Sequence, residues 1–128
     1  MSPDQIRSKI LSLQNDIRVI TQEKERYEEE YDHKQHEMNH VIEVIEDLRQ
    51  HISTLEKTLE TQEKDSLWSQ NARDTIKSYK QEIRIQEQQK MSILGEFKEK
   101  NRKIGTCKEK IKGLEDEIES LRASLINA

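Results

Sequence analysis

Apolar residues recur along this chain in strict alternation of four and three residues. From Ile6 the positions run Ile6, Ile10, Leu13, Ile17, Ile20, Lys24, Tyr27, Tyr31, Lys34, Met38, Val41, Ile45, Leu48, Ile52, Leu55, Leu59 and Gln62, and fourteen of these seventeen are apolar. A second series in a different phase runs Ser69, Ala72, Ile76, Tyr79, Ile83, Gln86, Lys90, Ile93, Phe97, Lys100, Ile104, Cys107, Ile111, Leu114, Ile118, Leu121 and Leu125, with thirteen of seventeen apolar. A repeat of about 3.5 residues holds one edge of an α-helix against a partner only if the helices wind around each other left-handedly. The pattern therefore predicts an all-α coiled coil, with Ile10 at an a position and Leu13 at a d position.

The two series do not join in register. Leu59 and Ile76, both a positions, lie 17 residues apart, which is two heptads plus three. The chain divides into a first heptad segment over 2–62, a phase break or turn over 63–68, and a second heptad segment over 69–126. Three inserted residues are absorbed either by local overwinding of a continuous helix or by a turn that folds the chain back on itself. Leu67 and Trp68 fall outside both series at this point. The start is well marked: Ser2-Pro3-Asp4-Gln5 offers an N-cap serine, proline at the first helical position, an early acid and a glutamine at the third. At the other end the seam still runs at Leu125 with no capping glycine, which reads as a segment of a longer rod.

A mirror in the seams bears on strand direction and favours antiparallel pairing over parallel without settling it. Ile6, Ile10, Leu13, Ile17 and Ile20 match Leu125, Leu121, Ile118, Leu114 and Ile111, and each pair of numbers sums to 131. The same sum places Tyr27 with Ile104, Tyr31 with Lys100, Lys34 with Phe97, Val41 with Lys90 and Leu48 with Ile83, always an a position against a d. A parallel homodimer would instead set Lys24, Lys34, Lys90 and Lys100 each against itself, four like-charge layers that weaken a coiled coil. In the antiparallel register Tyr31 with Lys100 and Phe97 with Lys34 predict cation–π contacts of about 0.5–1 kcal/mol each. The flanking charges are mixed: Glu23 with Lys110 and Glu30 with Lys103 attract, while Asp16 with Glu117 and Glu37 with Glu96 repel. The first expectation is a long coiled-coil helix in an antiparallel or parallel dimer, and the alternative is an intramolecular helical hairpin. Against the hairpin, residues 63–68 lack the glycine or proline that tight helix connections favour, although Asp65 and Ser66 suit the cap of a second helix.

Composition narrows the function classes. Only 31% of the 128 residues are hydrophobic and 4% aromatic while 38% are charged, too few apolar side chains for a conventional globular core. The net charge of −4 comes from both signs interspersed along the length, which offers no basic stripe for a phosphate backbone and argues against nucleic acid. Apolar runs are two residues at most, as at Val41-Ile42, so no membrane insertion or secretion signal is expected. The single Cys107, at a d position, reads as a small core residue in a reducing compartment: cytoplasmic, with association to the cytoskeleton or a nuclear home compatible. Gly95, Gly105 and Gly113 all fall at outer positions of the second seam.

One motif imitates catalysis. His36-Glu37-Met38-Asn39-His40 matches H-E-x-x-H, in which two histidines one turn apart bind zinc and the glutamate acts as general base, and His33 lies nearly on the same side. The heptad frame places His33, His36 and His40 on the outer surface, with no cleft and no third ligand from elsewhere, so they are weak metal candidates on a solvated helix face. No enzyme activity, cofactor or small-molecule substrate is expected. Tyr27, Tyr31 and Lys34 break the aliphatic seam with large or polar residues, which marks Tyr27 and Tyr31 as partner-binding candidates beside Leu67 and Trp68. Tryptophan outside a seam is costly to leave exposed and is enriched at binding hot spots.

The heptads resemble, in a broad sense, segments of cytoskeletal, centrosomal, motor-tail or tethering proteins. That resemblance implies a structural interaction protein, a self-associating scaffold, spacer or tether whose partner is a second copy or another coiled-coil protein. The oligomerisation seam would be Ile6 to Ile20, Met38 to Leu59, Ile76, Tyr79, Ile83, Ile93, Phe97, Ile104, Ile111, Leu114, Ile118, Leu121 and Leu125. The alternatives are a monomeric helical hairpin arm presenting Leu67 and Trp68 at its tip, or one strand of a hetero-oligomeric coiled coil.

Overall fold

The structure is a computed structural model that describes residues 1–127. It holds two long α-helices, α1 over Pro3–Leu59 and α2 over Leu67–Ile126, and among the described residues no strand. The N-terminus of α1 is the anticipated capping box. The Ser2 amide donates to Gln5 Oε1 at 2.9 Å and the Gln5 amide donates to Ser2 Oγ at 3.2 Å, so two orphan donors are satisfied reciprocally.

The expectation of one continuous helix is corrected at residue 60. The last turn of α1 tightens, with the Thr61 amide donating to Thr58 O at 3.1 Å and the Gln62 amide to Leu59 O at 3.2 Å. Ser66 then caps α2, its Oγ accepting from the Ser69 amide at 3.1 Å. The Glu63 carbonyl accepts from the Ser66 amide at 3.2 Å and from the Ser69 hydroxyl at 2.6 Å. Arg73 Nη2 closes the loop on the Lys64 carbonyl. Serine hydroxyls thus do what a glycine or proline was expected to do, and among the described residues no backbone φ is positive.

The chain forms two compact units. The first joins Met1–His33 to the segment from Phe97 onward, and the second is Lys34–Glu96, which contains the turn. In the first, Ile6, Ile10, Leu13 and Ile118 form a core cluster with Ile17, Leu114, Leu121 and Leu125 packed against it, the antiparallel mirror set. In the second, Met38, Val41, Ile45, Ile52, Ala72, Ile76 and Ile93 are buried. Cross-helix pairs keep close to the anticipated register: Lys34 with Glu96, His51 with Tyr79 and Tyr27 with Lys103 each sum to 130.

Burial follows the heptads closely. All twenty-three apolar seam residues named above are buried or half-buried, and every fully buried described residue, Ser69, Ala72 and Cys107 included, occupies a seam position. At about 25 cal/mol per Å² of apolar surface removed from water, this seam supplies the main stabilisation. It does so within one chain.

Candidate functional site

Three kinds of surface carry the residues that the sequence singled out. The first is the tip. Leu67 is 73% exposed and Trp68 42% exposed at the first two positions of α2, while Ser69 beside them is wholly buried. Two large apolar side chains thus stand in solvent directly beside the capping network that orders the turn.

The second is the tyrosine cluster. Tyr31 stacks on Phe97 with ring centroids 4.8 Å apart, and Tyr27 donates its hydroxyl to Glu23 Oε1 at 2.9 Å. The expected partners of both seam lysines are corrected. Lys100 pairs with Glu30 rather than lying over Tyr31, and its Nζ is 5.7 Å from the centre of the Tyr27 ring, with Lys103 at 5.3 Å. Lys34 does not lie over Phe97 but reaches Glu96 at 3.0 Å and Glu37 at 3.1 Å. A full carboxylate charge outcompetes a ring quadrupole where the lysine stem reaches both. Lys34 also answers the expected repulsion between Glu37 and Glu96 by standing between them.

These pairs leave electrostatic signatures. The hydrogen bond from Lys100 holds the Glu30 carboxyl below its ordinary value. Hydrogen bonds from Lys34, first to Glu96 and then to Glu37, hold its ammonium above the usual lysine value. Arg102 forks onto Glu99, lowering that carboxyl, and is itself raised by the same bond.

The third is the histidine face. His33, His36 and His40 are all exposed, and among the described residues no group of three or more His, Cys, Asp or Glu side chains is placed to hold a metal. Glu37, the formal general base of the motif, accepts from Lys34.

Two surface features escaped the sequence reading. Beside Gly113 an apolar groove of about 510 Å³ is lined by Asp16, Val19, Ile20, Lys110 and Leu114. On α2, Arg73, Lys77, Lys80 and Arg84 line a second groove of about 350 Å³ with Ile76 and Gln81. Signs that are interspersed along the chain sort by helix face here, since residues 73, 77, 80 and 84 alternate e and b positions. Their 4-3-4 spacing was the available signal. No helix among the described residues is long and apolar enough to cross a membrane. No protein-family model matches this chain, and no curated protein or solved structure matches it either.

Proposed function

We propose that this chain is a non-enzymatic interaction protein, a helical hairpin that presents Leu67 and Trp68 at its tip to a protein partner. The observation that carries the reading is the pairing of a braced turn with exposed apolar side chains. Leu67 and Trp68 stand 73% and 42% exposed directly beside the buried, doubly hydrogen-bonded Ser69. Tryptophan and its apolar neighbour on a preordered support match the anatomy of a binding hot spot. A seam-mediated homodimer is less well supported, because the apolar residues that would drive it already pack within one chain.

A non-catalytic role is supported by the His36-Glu37-His40 segment, where the histidines face solvent and the glutamate serves Lys34. The single thiol, Cys107, is buried, which suits a reducing cytoplasmic setting. The two helices then act as spacer and support for the tip.

The test is affinity capture with the intact chain, a Leu67→Ser/Trp68→Ser variant, and a Leu11→Ser/Val19→Ser control that removes exposed apolar residues elsewhere. Circular dichroism verifies equal helicity. Loss of a specific captured protein with the tip variant alone is the expected result. Equal capture by all three chains would overturn the reading.

A further inference from the structure

One face of α2 carries a row of cations that runs lengthwise into exposed apolar side chains. Arg73, Lys77, Lys80 and Arg84 are all exposed and follow each other at 4-3-4 spacing, about 16 Å from first to last at 1.5 Å per residue. The groove of about 350 Å³ lies along them, with Ile76 in its lining. One heptad beyond Arg84 the same row holds Met91, 68% exposed, and then Leu94, 40% exposed. Every one of these residues belongs to the unit Lys34–Glu96.

The row is one helix wide. Exposed Asp74 borders it on the outer flank, and on the side of α1 stand Glu56, 3.8 Å from Lys80, and Glu87, held by Arg49 at 2.9 Å. Arg73 reaches back to the Lys64 carbonyl, whereas among the described residues Lys77 and Arg84 have no ion-pair partner. A nucleic-acid duplex broad enough to cover the row would also meet the three bordering carboxylates, and it offers nothing to Met91 and Leu94. A lipid surface stacks its charged and apolar layers in depth, while here the two kinds of side chain follow one another along about 32 Å of helix. A rod with an acidic end and an apolar end fits that order, and a second α-helix supplies 4-3-4 spacing from its own geometry.

We propose that this face of α2 is a docking surface for an acidic helical segment of a partner protein, whose carboxylates stand at 4-3-4 spacing and give way to apolar residues two turns further on. Charge complementarity to Arg73, Lys77, Lys80 and Arg84 selects the acidic part. Because 4-3-4 reads the same from either end, the cations accept the partner in both directions, and Met91 with Leu94 fixes which of its ends lies where. The contact uses neither Leu67 and Trp68 nor the buried seam, so it stands or falls separately from the function proposed above.

Fluorescence anisotropy with the full chain tests it. The probe is a labelled synthetic helix with four glutamates at 4-3-4 spacing and two leucines placed beyond them as Met91 and Leu94 are, and the reference is a scrambled peptide of the same composition. The ordered peptide is expected to bind about tenfold or more tighter than the scrambled one, and to weaken with salt because the surface is exposed. Lys77→Glu/Arg84→Glu should lose about tenfold or more, and should recover binding to a peptide with lysines in place of the glutamates, which misfolding does not imitate. Met91→Ser/Leu94→Ser should weaken binding while leaving its salt dependence unchanged. Leu67→Ser/Trp68→Ser should have no effect. Equal affinity for the ordered and scrambled peptides overturns the proposal. So does tighter binding of a single-stranded oligonucleotide or of phosphatidylserine vesicles that Lys77→Glu/Arg84→Glu abolishes, and so does a wild-type dimer in sedimentation velocity that the same variant disperses, which would assign the row to a second copy.

Discussion

The Ser69 hydroxyl donates to the Glu63 carbonyl at 2.6 Å, and Ser69 is the most deeply buried residue of the turn. This bond and the Ser66 cap reverse the chain without glycine or proline. Ser66→Ala removes a helix N-cap and is expected to cost about 1 kcal/mol. Ser69→Ala removes a buried hydrogen bond and should cost about the same. Urea unfolding with an unchanged m-value measures both, and two neutral substitutions would mean that the turn is held by something else.

The seam and the outer faces should respond very differently to truncation. Ile118, 5% exposed, packs with Ile10 and Leu13, so Ile118→Ala should destabilise by about 2–5 kcal/mol. Leu11 is 67% exposed, and Leu11→Ala should stay within about 0.5 kcal/mol. Similar costs at the two positions would contradict the packing described here.

Gly105 and Gly113 are helical, and a methyl group added at either meets nothing within 4 Å. Alanine at each should therefore stabilise the helix by about 1 kcal/mol, the difference in propensity. A rise in melting temperature for both single variants is the expected reading. A fall would reveal that the backbone at these positions needs glycine.

Acid and alkali should act through different pairs. Glu30 is held below the ordinary carboxylate value of 4.5 by Lys100, so its contribution is complete above that value and fades as pH falls through the lowered one. Lys34 is held above the ordinary 10.5 by Glu96 and Glu37, so its contribution is complete below that value and fades as pH rises through the raised one. Glu30→Gln should flatten the acid limb of the stability profile and Lys34→Met the alkaline limb. Profiles that run parallel to the wild type on those limbs would show that the pairs do not contribute.

Cys107 is 5% exposed at a d position. Alkylation in native buffer should be slow and limited by opening of the helix pair, then become fast in urea. Native-state reaction at the rate of a free thiol would mean that the seam does not close over it.

Much of this was legible in advance because heptad spacing is a local property. The Ser2-Gln5 capping box, the burial of Ile6 through Leu125 along two phases and the break near residue 63 all follow from side-chain spacing on a helix. The pairing of Lys34 and Lys100 was not, because spacing places a lysine in a layer without saying which way its long stem leans. The basic strip from Arg73 to Arg84 was hidden by counting signs along the chain rather than around the helix.

The sequence by itself determined that there are helices and where their apolar edge lies, and it offered an antiparallel register with numbers summing to 131 beside a parallel one. It left open whether the matching edge belongs to a second chain or to the same one, since a mirror register is satisfied equally by both. Only the tertiary structure decided that. The hydroxyls of Ser66 and Ser69 satisfy the helix end and the Glu63 carbonyl together, so the turn forms with its polar groups paired and the seam closes on itself. With the apolar edges of the two helices packed against each other, the seam residues are buried or half-buried within one chain.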